Sequence, residues 1–530
     1  MHSPFWVSST NSPSSPKGRN MVDLPPEVWL HVARFIPDSD LRDKLWAVNS
    51  LFLDIGMNLR WRQVLIMTRN TVGPMHILER LLDPFVAKRV RYLILRLTHV
   101  KDPSAEPLSN VNNKPFRQIQ QTFRRVFTTK KDTATVKQRP RPTFTEVIDA
   151  LIATTPSFTH IHELNIDCWD LPPSYNLRPL FSSIWATFGP RLEGLFLGGN
   201  VEGYRDLIAS KPALPRVREL RLEFTNNLFK PGQSGDAGIL TNLVGPFVLS
   251  LAPQIEKFRV WSWALLDVSA FFSLLAQSEF PILRALNVRM AFDKSLRDPS
   301  GLKTLLLRCS STMQSLELRL NPSGLPMNPS SEQPLSLWLS ECAREDGCLA
   351  RLKSLDIYPT SMAAGFDALL TSIKRTEGSL LELIVRDRYL LPTEAKMVAD
   401  AVSPCENLKY LRMNVWRLDT ILIDHLAEKA PNISRLWISI GDTATNNNTA
   451  TNNNAVGGIA KTFQQDIQGR LYAKWKLKDI TIWQGGQEID EDIMHALARS
   501  IPSVYSFFGN GHMLREDLST SSPPNVPFGR

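Results

Sequence analysis

Cysteine is scarce in this chain of 530 residues, and what there is does not pair. Cys168, Cys309, Cys342, Cys348 and Cys405 make an odd count with no C-x-x-C spacing. That excludes a disulfide framework and a zinc ribbon and leaves reduced, buried thiols as the expectation. No stretch reaches the roughly 18 apolar residues that span a bilayer. The opening "MHSPFWVSSTNSPSSPKGRN" also lacks the apolar run of a secretory signal. No membrane partner is expected, a cytoplasmic or nuclear location is, and the sequons at Asn432 and Asn447 should stay unglycosylated. The motifs of nucleotide, dinucleotide and zinc-protease chemistry (G-x-x-x-x-G-K-S/T, G-x-G-x-x-G, H-E-x-x-H) are missing, and so is the G-x-S-x-G of a serine hydrolase. His160 and His162 alternate at the start of a strand pattern with only Cys168 near them, too few ligands for a metal. The acidic run Glu488–Asp492 sits where a helix begins, and the helix dipole accounts for it. The expectation is therefore no enzyme: no catalytic residue, no cofactor and no metal.

What the chain has is rhythm. From Val90 a short phrase recurs: apolar, two variable, apolar, one variable, apolar. It runs from "VRYLILRL" through "LEGLFLGGN" and "MQSLELRLN" to "LKDITIWQG". The central apolar residues are Leu93, Leu164, Leu195, Leu220, Phe258, Leu286, Leu316, Leu355, Leu383, Leu411, Leu436 and Ile480. Most gaps between them are about 25 to 40 residues, near the range of leucine-rich repeats. Period two within each phrase means a strand with one buried face. Helical patterns fill the gaps, such as "FTEVIDALIATTP" and "DTILIDHLAEKAPN", with caps at their starts and proline or glycine at their ends. One strand and one helix cannot bury their own apolar faces, whereas a stack of a dozen can.

Residues 67–515 thus resemble a leucine-rich-repeat solenoid. The resemblance implies parallel strands on a concave face and helices on a convex one. The full L-x-x-L-x-L-x-x-N phrase occurs at Leu192–Asn200 and nearly so at Met313–Asn321. Elsewhere the asparagine slot holds Trp169, Trp263 or Trp416, so an irregular array is expected. Two stretches interrupt it. Residues 101–142 hold ten basic against three acidic residues, most of the chain's net +9. They are expected to be a disordered insertion, and "TATNNNTATNNN" within 443–458 a floppy loop. Residues 1–20 and 516–530 are expected to be disordered tails.

Ahead of the repeats, residues 21–66 read as three short helices. Val28, Val32, Phe35 and Ile36 share one helical face after an opening at Pro25 and Pro26. Pro37 ends that helix, and a second carries Leu41, Leu45, Val48 and Phe52 until Gly56. "NLRWRQVLI" supplies a third. So small a unit buries little and gains stability by docking. The stretch resembles an F-box: Leu24, Pro25, Pro26 and Glu27 at its start, Val48 and Phe52 later, Trp61 and Arg62 at its close. Asn49 departs from the cysteine or serine of many members. The whole chain is similar to F-box proteins with C-terminal leucine-rich repeats, of the irregular kind found in fungi.

That resemblance implies a substrate-recognition subunit of a Skp–cullin–F-box type ubiquitin ligase. Leu24, Pro25, Pro26, Glu27, Val28, Ile36, Leu45 and Val48 would face the Skp-type adaptor, which brings the cullin, while the repeats hold an unknown target protein. The competing reading of residues 21–66 is a helical cap sealing the array. The competing function is a repeat scaffold that binds nucleic acid or an acidic partner through the basic insertion, with no ligase role. Phe116, Phe123 and Phe127 are a thin stacking platform there, so nucleic acid is not the expected partner. For the target, Trp261, Arg289, Arg319, Tyr358, Arg386 and Trp437 are expected to form an exposed stripe across neighbouring strands, suited to an acidic or phosphorylated segment. The alternative is a set of ordinary solvated strand residues shielding the apolar layer beneath.

Overall fold

In a computed structural model, the described residues are 25–98, 142–169, 171, 176–210, 212–226, 235–322, 327–345, 349, 351–441, 458–460, 462–484 and 487–507. Both tails, Leu24, Cys348, nearly all of the basic insertion and the Asn/Thr-rich stretch lie outside them. The chain divides into two compact units, Met1–Gln63 and Val64–Arg530. No helix among the described residues is long and apolar enough to cross a membrane.

The first unit contains α1 (Pro26–Ala33), α2 (Asp38–Asp43) and α3 (Ser50–Trp61). Pro26 opens α1, where its missing N–H costs nothing. The side chain of Asn49 accepts the Phe52 amide at 2.8 Å and starts α3. This cap corrects the expected second helix. Leu41 lies in α2 while Phe52 lies in α3, and Gly56 stands inside α3 instead of ending a helix. A Cβ on Gly56 would come within 2.9 Å of the Leu41 carbonyl, so glycine lets the two segments touch. The core is small: Ala33, Leu41 and Phe52 are buried, with Trp29, Ile36, Leu45, Ile55 and Leu59 packed around them.

The second unit is a leucine-rich-repeat-like array. Its strands are β1 (Gln63–Met67), β2 (Tyr92–Arg96), β3 (Glu163–Cys168), β4 (Gly194–Asn200), β5 (Glu219–Thr225) and β6 (Lys257–Ser262), then β7 (Ala285–Arg289), β8 (Ser315–Arg319), β9 (Ser354–Ile357), β10 (Glu382–Leu390) and β11 (Tyr410–Val415). After β12 (Arg417–Leu418) come β13 (Arg435–Ile440), β14 (Gly458–Ile459), β15 (Asp479–Gln484), β16 (Gln487–Glu488) and β17 (Ser506–Phe507). All but β12 and β14, which pair with each other, join one sheet whose order follows the chain. The segment Gln63–Ile66, expected to close the third helix, instead belongs to the first strand of this sheet.

From β2 to β15 the pairing is parallel and in register. Leu93 pairs Leu164, which pairs Leu195, and so on through Leu220, Phe258, Leu286, Leu316, Leu355, Leu383, Leu411 and Leu436 to Ile480. Each of these side chains is buried, none more than 3% exposed. Parallel neighbours need crossovers, and the helices expected from the sequence supply many of them, including Phe144–Thr154, Ala363–Arg375 and Thr420–Lys429. Inward strand residues and one face of each of these helices are buried. The alternate strand residues stay half-exposed on an open face, as the pattern of β7 and β8 shows.

The asparagine slot behaves unevenly. Asn200 is buried and accepts the Gly203 amide at 2.9 Å, and Asn321 is buried and donates to the Tyr358 hydroxyl. Trp169 and Trp263 are more than two-fifths exposed, so an indole does not replace the buried asparagine. Among the described cysteines, Cys168, Cys309, Cys342 and Cys405 are free and buried. Burial pushes the Cys309 and Cys405 thiols up to about 11, which leaves them unreactive.

Candidate functional site

In the first unit, α1 is apolar on two stripes. Trp29, Ala33 and Ile36 turn inward, and Trp29 meets Phe52 edge-on at 5.4 Å between ring centres. Val28, Val32 and Phe35 turn outward, Phe35 to 76% exposure. Leu30, Trp46 and Val48 are exposed as well. Of the residues assigned to adaptor contact, Pro25, Pro26, Glu27, Val28 and Val48 are exposed, Ile36 and Leu45 are half-buried against the core, and Leu24 is outside the described residues. The described residues of this unit thus expose Val28, Leu30, Val32, Phe35, Trp46 and Val48 beside a core of three buried apolar side chains.

In the second unit, parallel register arranges the open face in columns. One column runs Glu223, Trp261, Arg289, Arg319 along β5 to β8. The column one pleat earlier runs Arg221, Arg259, Asn287, Glu317, Asp356, Ile384, Arg412, Trp437, Thr481. Arg289 and Arg319 are therefore neighbours, with Arg386 two strands further on. The expected open stripe nonetheless needs correction. Arg319 is held by both oxygens of Asp387, and the two side chains are only 11% and 8% exposed. Arg386 bonds Asp356 and, at 3.0 Å, Glu317. Tyr358 is buried at 3% exposure instead of lining the surface.

Asp387 reaches Arg319 through a break in β10. Val385 pairs Met413 but Leu390 pairs Val415, so extra residues bulge between them. Within the bulge Asp387 takes φ of 70°, a left-handed conformation that aspartate tolerates better than most residues. The sequence signal was "RDRYL", where the apolar alternation of the strand lapses.

Polar bonds continue across the face. The Trp261 indole donates to Asn287 at 2.8 Å, and Asn287 donates to Glu317, which also accepts from Arg386. Trp263, which follows β6, donates to Glu223 at 2.9 Å. At the far end the rings of Trp437 and Trp483 stack 6.3 Å apart at 9°. Most arginines here are neutralised. Arg96, Arg221, Arg259, Arg319, Arg386 and Arg435 each lie within 4 Å of a carboxylate.

Among the described residues, no cluster of three histidine, cysteine, aspartate or glutamate side chains could hold a metal ion. No family model matches the sequence. No curated protein matches it either. Several solved structures are similar to the chain. A Bacteroides fragilis protein is 16% identical over 55% of this chain and 68% of its own, with a TM-score of 0.32. The Rad7–Elc1 complex of yeast gives 13% identity, 78% and 87% coverage, and 0.37. The TLR13–ssRNA13 complex gives 13%, 67% and 56%, and 0.26. The assignment of the fold rests on the strand register described above.

Proposed function

We propose that the chain is the substrate-recognition subunit of a Skp–cullin–F-box type ubiquitin ligase. The helices of the first unit bind a Skp-type adaptor, and the repeat array binds the protein to be modified. In this reading the chain performs no chemistry of its own and needs no cofactor. The observation that carries it is the outward apolar stripe Val28, Val32 and Phe35, together with Trp46 and Val48, on a unit whose described residues bury three apolar side chains, Ala33, Leu41 and Phe52. Leaving that surface in water is unfavourable, and docking on an apolar partner removes the cost. The resemblance of residues 24–62 to an F-box supplies the identity of that partner.

The test is co-purification of the full chain with a Skp-type adaptor, beside the double variant Val28→Asp/Val48→Asp. Both side chains are exposed, at 40% and 52%, so the variant should keep its helical circular dichroism. Wild type should retain the adaptor and the variant should lose it. Equal recovery with both proteins, or none with wild type, overturns the reading.

A further inference from the structure

Two arginines break the neutralising pattern of the open face. Neither Arg289 on β7 nor Arg412 on β11 has an ion pair among the described residues, and the buried Nε of each finds no acceptor there. Each lies instead on an indole. The Arg289 guanidinium is 4.4 Å from the ring centre of Trp263 and 5.2 Å from that of Trp261, and Arg412 is 4.5 Å from that of Trp437. Stacking of this kind fixes the plane of a guanidinium but satisfies none of its N–H groups. Leaving a buried donor without an acceptor is destabilising, which marks both positions as built for something other than the fold.

Local charge points the same way. Arg289, Arg319, Arg386 and Arg412 stand against Glu317, Asp356 and Asp387, an excess of one cation on a half-buried surface. Burial lowers the proton affinity of Arg289 and Arg412, and the neighbouring Arg319 and Arg386 lower it further. An arriving anion offsets both effects, because an opposite charge favours the protonated guanidinium.

Geometry sets the spacing. Four strand steps separate β7 from β11, about 19 Å at ~4.8 Å per step. An extended peptide covers that distance in about six residues at ~3.3 Å each. Each position offers a single free guanidinium, with Glu317, Asp356 and Asp387 close by. A carboxylate, with one charge and a fork that matches the guanidinium, fits that setting better than a phosphate dianion. We propose that the open face between β7 and β11 binds an extended acidic segment of a partner protein, one carboxylate seated on Arg289 and a second, about six residues along, on Arg412.

The test needs only this chain and synthetic peptides, so it stands or falls apart from adaptor binding. Fluorescent Ser/Gly peptides carry two glutamates six, two or ten residues apart. Companion peptides replace both glutamates by glutamine or by phosphoserine. The six-residue spacing should bind best, and Arg289→Gln or Arg412→Gln should each weaken it by about 10- to 100-fold. Without peptide, both variants should melt at or above the wild-type temperature, because removing a buried Nε that has no acceptor offsets the stacking each arginine loses on its indoles. The proposal is overturned if the glutamate peptide does not bind, if its glutamine companion binds as well, or if the double variant binds unchanged. A preference for phosphoserine, or capture of a single-stranded oligonucleotide with no acidic peptide bound, overturns it too. Lower melting of both variants would show a purely structural role and also overturn it.

Discussion

Asp387→Asn isolates the contribution of one buried ion pair. Asparagine keeps the shape of the side chain and its tolerance of the left-handed backbone at φ 70°, so only the charge is lost. The Arg319 side chain, 11% exposed, would then keep its charge with no carboxylate bonded to it. Removing one partner of a buried pair costs about 3–5 kcal/mol, against at most about 1 kcal/mol for a pair in solvent. In a repeat array such a loss falls first on the repeats concerned. The assay is therefore amide hydrogen exchange read strand by strand, since a single melting temperature would blur it. Protection in β8, β9 and β10 should fall by roughly a hundred- to several thousand-fold, while β3 and β4 keep theirs. Adding Arg319→Met should restore most of the protection, because no charge then remains buried. A loss below about tenfold in Asp387→Asn would mean that solvent screens the pair, and the bulge in β10 would need another explanation.

The same strands should respond to pH and to truncation. Burial pushes Asp356 up to about 6 in spite of Arg386, against about 3.9 in the unfolded chain. A folded-state value above the unfolded one means that folding takes up a proton. This carboxyl therefore contributes stability that is complete below about pH 4 and is lost as pH rises through about 6. Denaturation midpoints between pH 4 and 7 should show wild type gaining on Asp356→Asn as pH falls, by roughly 2 kcal/mol; parallel curves would refute it. In the buried spine Leu355→Ala should cost about 2–5 kcal/mol by urea denaturation, while Ile421→Ala, at 67% exposure, should cost almost nothing, and equal effects would contradict the assigned register.

The register was legible in the sequence because it is written locally. Twelve phrases each carry three apolar residues at fixed spacing, and a slip of one position would turn every one of them to solvent. That constraint is strong enough to align Leu93 with Ile480 across the whole sheet. The first unit was legible only in part. The face read from the sequence was Val28, Val32, Phe35 and Ile36, and it did not show that Trp29 and Ala33 would win the core and take Ile36 with them. The larger tryptophan decides this by packing on Phe52, a contact made between two helices and invisible within either.

The same distinction governs the candidate binding face. A column of residue types predicted a free arginine stripe, yet whether an arginine is free depends on carboxylates in other columns and on a bulge that no single strand reveals. Arg319 and Arg289 occupy equivalent places on adjacent strands. The first is neutralised because β10 bulges and delivers Asp387 to it. The second is left on two indoles because Glu223, the carboxylate of its own column, is taken by Arg221 and Trp263. Position in the repeat sets where a side chain points, but only the assembled sheet sets what charge remains for a partner to meet.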